Sequence, residues 1–199
     1  MQKDTFTILV KTLYGLENIL AEELRKIEAT EDLKILKRAV SFTGNKALLY
    51  KVNLHCRTAI RVLKPIKTFK AINADQVYEE VKKINWEEYM QLKNTFAISS
   101  VVYSDLFTHS KFVAYRVKDA IADFFTEKYS KRPSVSLANP DLQIDIHIAE
   151  DMCTLSLDSS GESLHKRGYR VAQDQAPLSE VLAAGMILMT GWDGDSDFV

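Results

Sequence analysis

Hydrophobic positions change period repeatedly along this chain, and each change predicts an element. Phe6 to Thr12 reads as a strand. Tyr14-Gly15 breaks it, and Leu16, Ile19, Leu20, Leu24 and Ile27 then recur at helical spacing. Leu33 to Arg38 and Ala39 to Thr43 predict two short strands. Gly44-Asn45 punctuates them, and a helix is expected from about Lys46 to Arg57 with Ala47, Tyr50 and Leu54 on one side. Ile60 to Phe69 is β-branched and basic, with Pro65 demoting part of it to an edge. The order β-α-β-β-α-β is the split βαβ, or ferredoxin-like, arrangement.

A second set of elements follows. Ala74 to Ile84 is expected to be a helix with Val77, Val81 and Ile84 in register, its end covered by Trp86 and Tyr89. Phe96 to Tyr103 is a near-continuous apolar strand, as at a sheet centre. His109 to Tyr129 predicts the longest helix, with Val113, Val117, Ala120, Ile121 and Phe124 as its buried stripe and Lys111, Lys118 and Lys128 on other sides. Ser134 to Leu137 is a short strand before the Asn139-Pro140-Asp141 turn. Leu142, Ile144, Ile146 and Ile148 then alternate with Gln143, Asp145 and His147, and Cys153, Leu155 and Leu157 match them, which predicts a half-exposed hairpin. A last helix is expected from Leu178 to about Thr190. Leu178, Val181, Leu182, Leu188 and Met189 are placed on one face, and small Ala183, Ala184 and Gly185 leave room for a close neighbour. An acidic loop then leads to Asp197-Phe198-Val199, which resembles the front of a buried strand. Helix, acidic loop and strand are how a doubly wound α/β domain begins.

Composition narrows the class. The 199 residues are 46% apolar and 27% charged, globular values with room for one or two domains. No apolar run approaches a membrane span, and no signal peptide is evident, so a cytoplasmic protein is expected. Cys56 and Cys153 form no CxxC pair and the four histidines share no ligand spacing, so no metal site is expected. The net charge of -1 conceals a gradient: +7 over residues 1–70, -3 over 71–170 and -5 over 171–199. Between Leu33 and Ala74 ten Lys/Arg stand with no carboxylate. A one-sign tract repels itself and points to an anionic partner, nucleic acid above all, the plainer alternative being an ordinary basic surface.

Candidate phosphate contacts in that tract are Lys34, Lys37, Arg38, Lys64, Lys67 and Lys70, with Lys111 and Arg116 as secondary candidates on the long helix. The densest cluster is His165, Lys166, Arg167, Tyr169 and Arg170, in the stretch Gly161 to Gly185. Its cations can clamp phosphates and Tyr169 can stack on a displaced base. The competing reading is that Tyr169 and Arg170 pin an interdomain joint. Asn139-Pro140-Asp141 reads as a turn, and Asp119 and Asp123 as solvated or capping groups.

GLENILAEEL (15–24), KDAIAD (118–123), NPDLQIDIHI (139–148), LDSSGESLHKRGYR (157–170) and APLSEVLAAG (176–185) stand in this order. Together they resemble the THUMP-containing RNA methyltransferases of the bacterial 23S rRNA guanine-N2 type, whose relatives are often labelled adenine-specific DNA methylases. The resemblance spans nearly the whole chain. It implies a ferredoxin-like domain over residues 1–66, a THUMP RNA-binding domain over 67–159, and over 160–199 a linker with the first helix and strand of a Rossmann-like methyltransferase domain. It implies S-adenosylmethionine as cofactor of the complete enzyme, with Gln175, Ala176, Pro177 and Leu178 beside its pocket. The family's DPxCGSGT and (N/D)PPY motifs are not present, so no catalytic residue is expected here, and the chain alone is expected to be inactive and free of cofactor. The expected partner is structured RNA, ribosomal first and transfer RNA second. The rival classes are a freestanding THUMP adaptor, a thiouridylase or deaminase relative, a transfer-RNA guanine-N2 enzyme and a DNA adenine-N6 methyltransferase.

Overall fold

The computed structural model describes residues 5–168, 177–192 and 194–197. The chain is mixed α/β and divides into two compact units, Met1–Lys64 with Ser159–Val199, and Pro65–Asp158.

The first unit follows the predicted order: β1 (Phe6–Lys11), α1 (Glu17–Lys26), β2 (Lys34–Leu36), β3 (Ala39–Gly44), α2 (Lys46–His55) and the start of β4 (Arg61–Lys70). Its strands run β2-β3-β1-β4, with each pair antiparallel. Ile8 and Val10 of β1 lie opposite Phe42 and Val40 of β3, and all four are buried. Leu20, Ala21 and Leu24 of α1 and Leu49 and Val52 of α2 close the same core. Asn45 starts α2 by accepting a 2.9 Å hydrogen bond from the Leu48 amide, which satisfies one of the helix's free N–H groups. The side of α2 that carries Ala47, Tyr50 and Leu54 is its outer one. Tyr50 and Leu54 are exposed, as is Ala47, and Leu49, Val52 and the following Cys56 are the residues turned inward.

The last helix, α5 (Glu180–Met189), also belongs to the first unit. Its buried positions are Val181 and Gly185, one turn apart, while Leu178 and Met189 are exposed. The expected apolar face is therefore corrected to a narrower stripe centred on the small residues. A Cβ at Gly185 would lie 2.6 Å from Leu16 Cδ2, so the absence of a side chain there is what allows α5 to approach the start of α1.

The second unit holds the rest of β4, then α3 (Ala74–Lys82), a 3-10 turn (Trp86–Glu88), β5 (Thr95–Tyr103), α4 (Ser110–Tyr129), β6 (Ser134–Val135), β7 (Leu142–Ala149) and β8 (Met152–Asp158). Its strands are ordered β4-β8-β7-β5-β6. β5 runs parallel to β6 and β7, and β7 antiparallel to β8. Ile144, Ile146, Ile148, Cys153 and Leu155 pack with Val113, Val117, Ala120, Ile121 and Phe125 in its core, and Phe124 is only partly buried against them. Trp86 is fully buried and its indole N–H donates to the Val81 carbonyl at 3.1 Å, sealing the end of α3.

The Asn139-Pro140-Asp141 segment is a fastening. The Asp141 carboxylate accepts from the Thr95 amide at 2.7 Å and its hydroxyl at 3.0 Å. Those bonds hold its pKa below the ordinary carboxylate range. On the second face of β7, Asp145 is buried and accepts from the Ser99 hydroxyl at 3.0 Å, so this part of the expected half-exposed hairpin is closed to solvent. Both cysteines are buried thiols. Burial pushes Cys56 up to about 12 and Cys153 up to about 11, far from a reactive thiolate. Among the described residues no helix is long and apolar enough to cross a membrane, and no His/Cys/Asp/Glu group could hold a metal ion.

Candidate nucleic-acid interface

A group of three exposed cations lies on the β2–β3 hairpin. Leu36 faces Ala39 in the register, so Lys37 and Arg38 form a two-residue turn. Lys34, Lys37 and Arg38 are all exposed, and none is ion-paired among the described residues. Arg38 adopts φ 60°, a left-handed conformation that L side chains adopt at a cost of about 1 kcal/mol. Two local bonds hold it there: its carbonyl accepts from the Thr12 amide at 2.9 Å, and its amide donates to Glu17 Oε1 at 2.9 Å. Glu17 Oε2 accepts from Gly15 at 2.8 Å, so one carboxylate at the start of α1 braces both turns.

Burial alone would raise the Glu17 pKa. The amides of Glu17, Arg38 and Gly15, with the Arg38 charge, outweigh it and hold the group below its ordinary 4.5. A depressed folded-state pKa stabilises the brace above the unfolded value and loses that contribution as pH falls through the folded one. The Glu17 carboxyl is thus expected to titrate below 4.5, with the Arg38 amide resonance moving at the same midpoint in an NMR titration. An Arg38 amide indifferent to that titration would show that the brace is not formed in solution.

The other predicted contacts divide between the units. In the first, the Lys64 ammonium sits 4.2 Å from the centre of the Phe6 ring. In the second, Lys67 is held by Glu80, through its carbonyl at 2.7 Å and its carboxylate at 3.0 Å. Lys70 pairs with Asp151 at 2.9 Å. Arg116 pairs with Asp75 at 2.8 Å and lies 4.3 Å over the Tyr78 ring. Lys111 is exposed. Asp119 and Asp123 are tied to neighbours: Lys118 reaches Asp119 at 2.9 Å, and the Tyr78 hydroxyl donates to Asp123 at 3.0 Å.

The segment after β8 returns to the first unit, where its polar groups run beside the start of β4. Ser159 donates its amide to the Val62 carbonyl at 2.9 Å, Val62 donates to Ser160 Oγ at 2.7 Å, and Leu164 donates to the Ile60 carbonyl at 2.9 Å. His165 and Lys166 are exposed. Arg167 turns inward to the end of α2. Its Nη1 donates to the carbonyls of Asn53 at 3.1 Å and Leu54 at 3.3 Å, and Nη2 donates to Cys56 at 2.5 Å. Those carbonyls have no partner within the helix, and a cation there also opposes the negative end of the helix dipole. Tyr169, Arg170, Gln175 and Ala176 lie outside the described residues. Pro177 and Leu178 are exposed.

Sequence reasoning missed two features. Glu17 was not singled out as the brace of the cationic turn. Phe112 and Tyr115 stand exposed on α4, and their position outside its buried stripe was the signal that could have flagged them.

Residues 7–63 match the model of the RlmL ferredoxin-like domain, and residues 71–158 match that of the THUMP domain. The chain joins a ferredoxin-like domain of the RlmL type to a THUMP domain, an order it shares with proteins named RNA methyltransferases. A Synechocystis sp. protein, provisionally named an RNA methyltransferase, is 46% identical over 178 residues, covering 89% of this chain and 46% of its own length. A Syntrophotalea carbinolica protein named ribosomal RNA large subunit methyltransferase K/L is 44% identical over 178 residues, covering 89% of this chain and 25% of its own. Among solved structures, SMU.472, provisionally named a methyltransferase and crystallised with SAH, superposes with a TM-score of 0.81 at 30% identity, over 100% of this chain and 52% of that one. The chain therefore spans less than half the length of either relative.

Proposed function

We propose that this chain is the RNA-gripping portion of an S-adenosylmethionine-dependent methyltransferase that modifies the exocyclic N2 of a guanine in large-subunit ribosomal RNA. The observation that carries the reading is the braced hairpin. Three cations project within five residues from an edge strand, one of them held in a left-handed turn, in a chain with a THUMP domain. A turn that keeps arginine where glycine is easier has a use for the charge, and phosphate is the anion that an RNA-modifying relative meets.

The guanine amine is a weak nucleophile that attacks a methyl carbon in line, so positioning supplies much of the rate, and this chain's contribution is to position. The methyl donor belongs to the longer protein. Of its four expected neighbours, Pro177 and Leu178 are described, and their side chains offer apolar contact without a charge or hydrogen-bonding group. They do not constitute a cofactor site by themselves.

The test is equilibrium binding of this chain to a 23S rRNA fragment, a transfer RNA and duplex DNA across a salt titration. The ribosomal fragment is expected to bind tightest, with log affinity falling against log salt at a slope of about -3, from roughly 0.9 per phosphate met by the three hairpin cations. Preference for transfer RNA would move the substrate assignment. Equal or absent binding to all three would remove the RNA reading.

A further inference from the structure

On the α4 side of the second unit, Thr108, His109, Ser110, Lys111, Phe112 and Tyr115 line an open recess of about 500 Å³. Phe112 and Tyr115 are three residues apart and therefore neighbours on the helix surface, yet both are more than half exposed, at 53% and 58%. Two large aromatic rings left in water next to a concavity forgo burial that an ordinary solvated helix face would not ask of them. The surrounding charge is cationic. Lys111 and Lys118 fall on the same solvent stripe as Tyr115; the Lys118 ammonium lies 5.8 Å from the centre of the Tyr115 ring and is paired with Asp119 at 2.9 Å, which leaves Lys111 as the cation of the lining, and no carboxylate lines the recess.

We propose that this recess is a stacking subsite for unpaired nucleotides of the RNA, with Phe112 and Tyr115 receiving base faces and Lys111 meeting the adjoining phosphate. The proposal rests on the RNA-binding reading above. An exposed ring can stack only on a base that is free of its own neighbours, so an aromatic pair flanked by lysines selects single-stranded segments over a duplex. A lining with Lys111 and no carboxylate fits a polyanion and disfavours a basic protein partner.

The experiment compares labelled oligoadenylate with a blunt RNA duplex of equal length by fluorescence anisotropy, using the wild-type chain, Phe112→Ala/Tyr115→Ala, Tyr115→Phe and Lys111→Ala. The double variant is expected to lose at least about 10-fold in affinity for oligoadenylate while duplex affinity stays within about twofold. Tyr115→Phe should retain the wild-type value, and Lys111→Ala should lower the salt slope by about one. Both replaced rings are exposed, and a circular-dichroism melt confirms folding. Wild-type binding with no loss in the double variant overturns the subsite alone. An equal loss on both probes also overturns it, as does a change in self-association by gel filtration, which would make the patch a contact between copies. Failure of the wild-type chain to bind either probe overturns the RNA-binding reading itself, and the subsite with it.

Discussion

Changing Lys34, Lys37 and Arg38 together to glutamate is expected to weaken binding to the 23S rRNA fragment at least about 100-fold near physiological salt. Each replacement removes a cation and adds a like charge where a phosphate would sit, so six units of charge change on one hairpin. All three side chains are exposed and unpaired among the described residues, so the core of the first unit is not disturbed. A second variant separates charge from conformation. Arg38→Gly relieves the left-handed strain at φ 60° and is expected to leave the melting temperature unchanged or raise it, while affinity drops several-fold. Wild-type affinity in the triple variant would exclude the hairpin as the grip.

Arg167→Ala is expected to destabilise the first unit by about 2–3 kcal/mol. Three carbonyls at the end of α2 lose a charged donor, and charge-assisted hydrogen bonds contribute about 1.5–3 kcal/mol each before the discount for partial exposure. Arg167→Lys keeps the charge but not the planar fork, and should recover only a minor part. Thermal unfolding followed by circular dichroism reads the effect, and the RNA affinity of the folded protein should hold. Unchanged stability with lost affinity would instead make Arg167 a phosphate ligand. A basic cluster read from sequence cannot separate these roles, because the carbonyls that claim Arg167 lie more than 110 residues away.

That example marks the boundary of what the chain's pattern reveals. Element order was legible because Gly44-Asn45 and the Asn139-Pro140-Asp141 turn punctuate runs of clear period, and Asn45 and Asp141 do form the cap and the fastening that such residues favour. The inward face of α2 was not. Ala47, Leu48, Leu49, Tyr50, Val52 and Leu54 surround that helix, so periodicity selects no phase, and packing against α1 and the sheet decides it. Within the candidate interface, the residue types were legible and their commitments were not. Lys67, Lys70 and Arg116 look like Lys34 in sequence, but each is drawn to a carboxylate that only the fold brings near. Close approach at α5 was anticipated from its small residues, and Leu16 is the neighbour that the sequence left unnamed.

The return of residues 159–168 and of α5 to the first unit has a consequence for synthesis. As the chain leaves the ribosome, residues 1–64 emerge with the end of α2 unclasped and the Leu16 surface bare, and the intervening residues 65–158 must be made before either is covered. At about 5–20 residues per second that interval lasts roughly 5–20 s. During it the nascent ferredoxin-like domain holds a sheet and two helices without their closing pieces, while the THUMP domain, complete in sequence at Asp158, is free to fold ahead of the unit that precedes it.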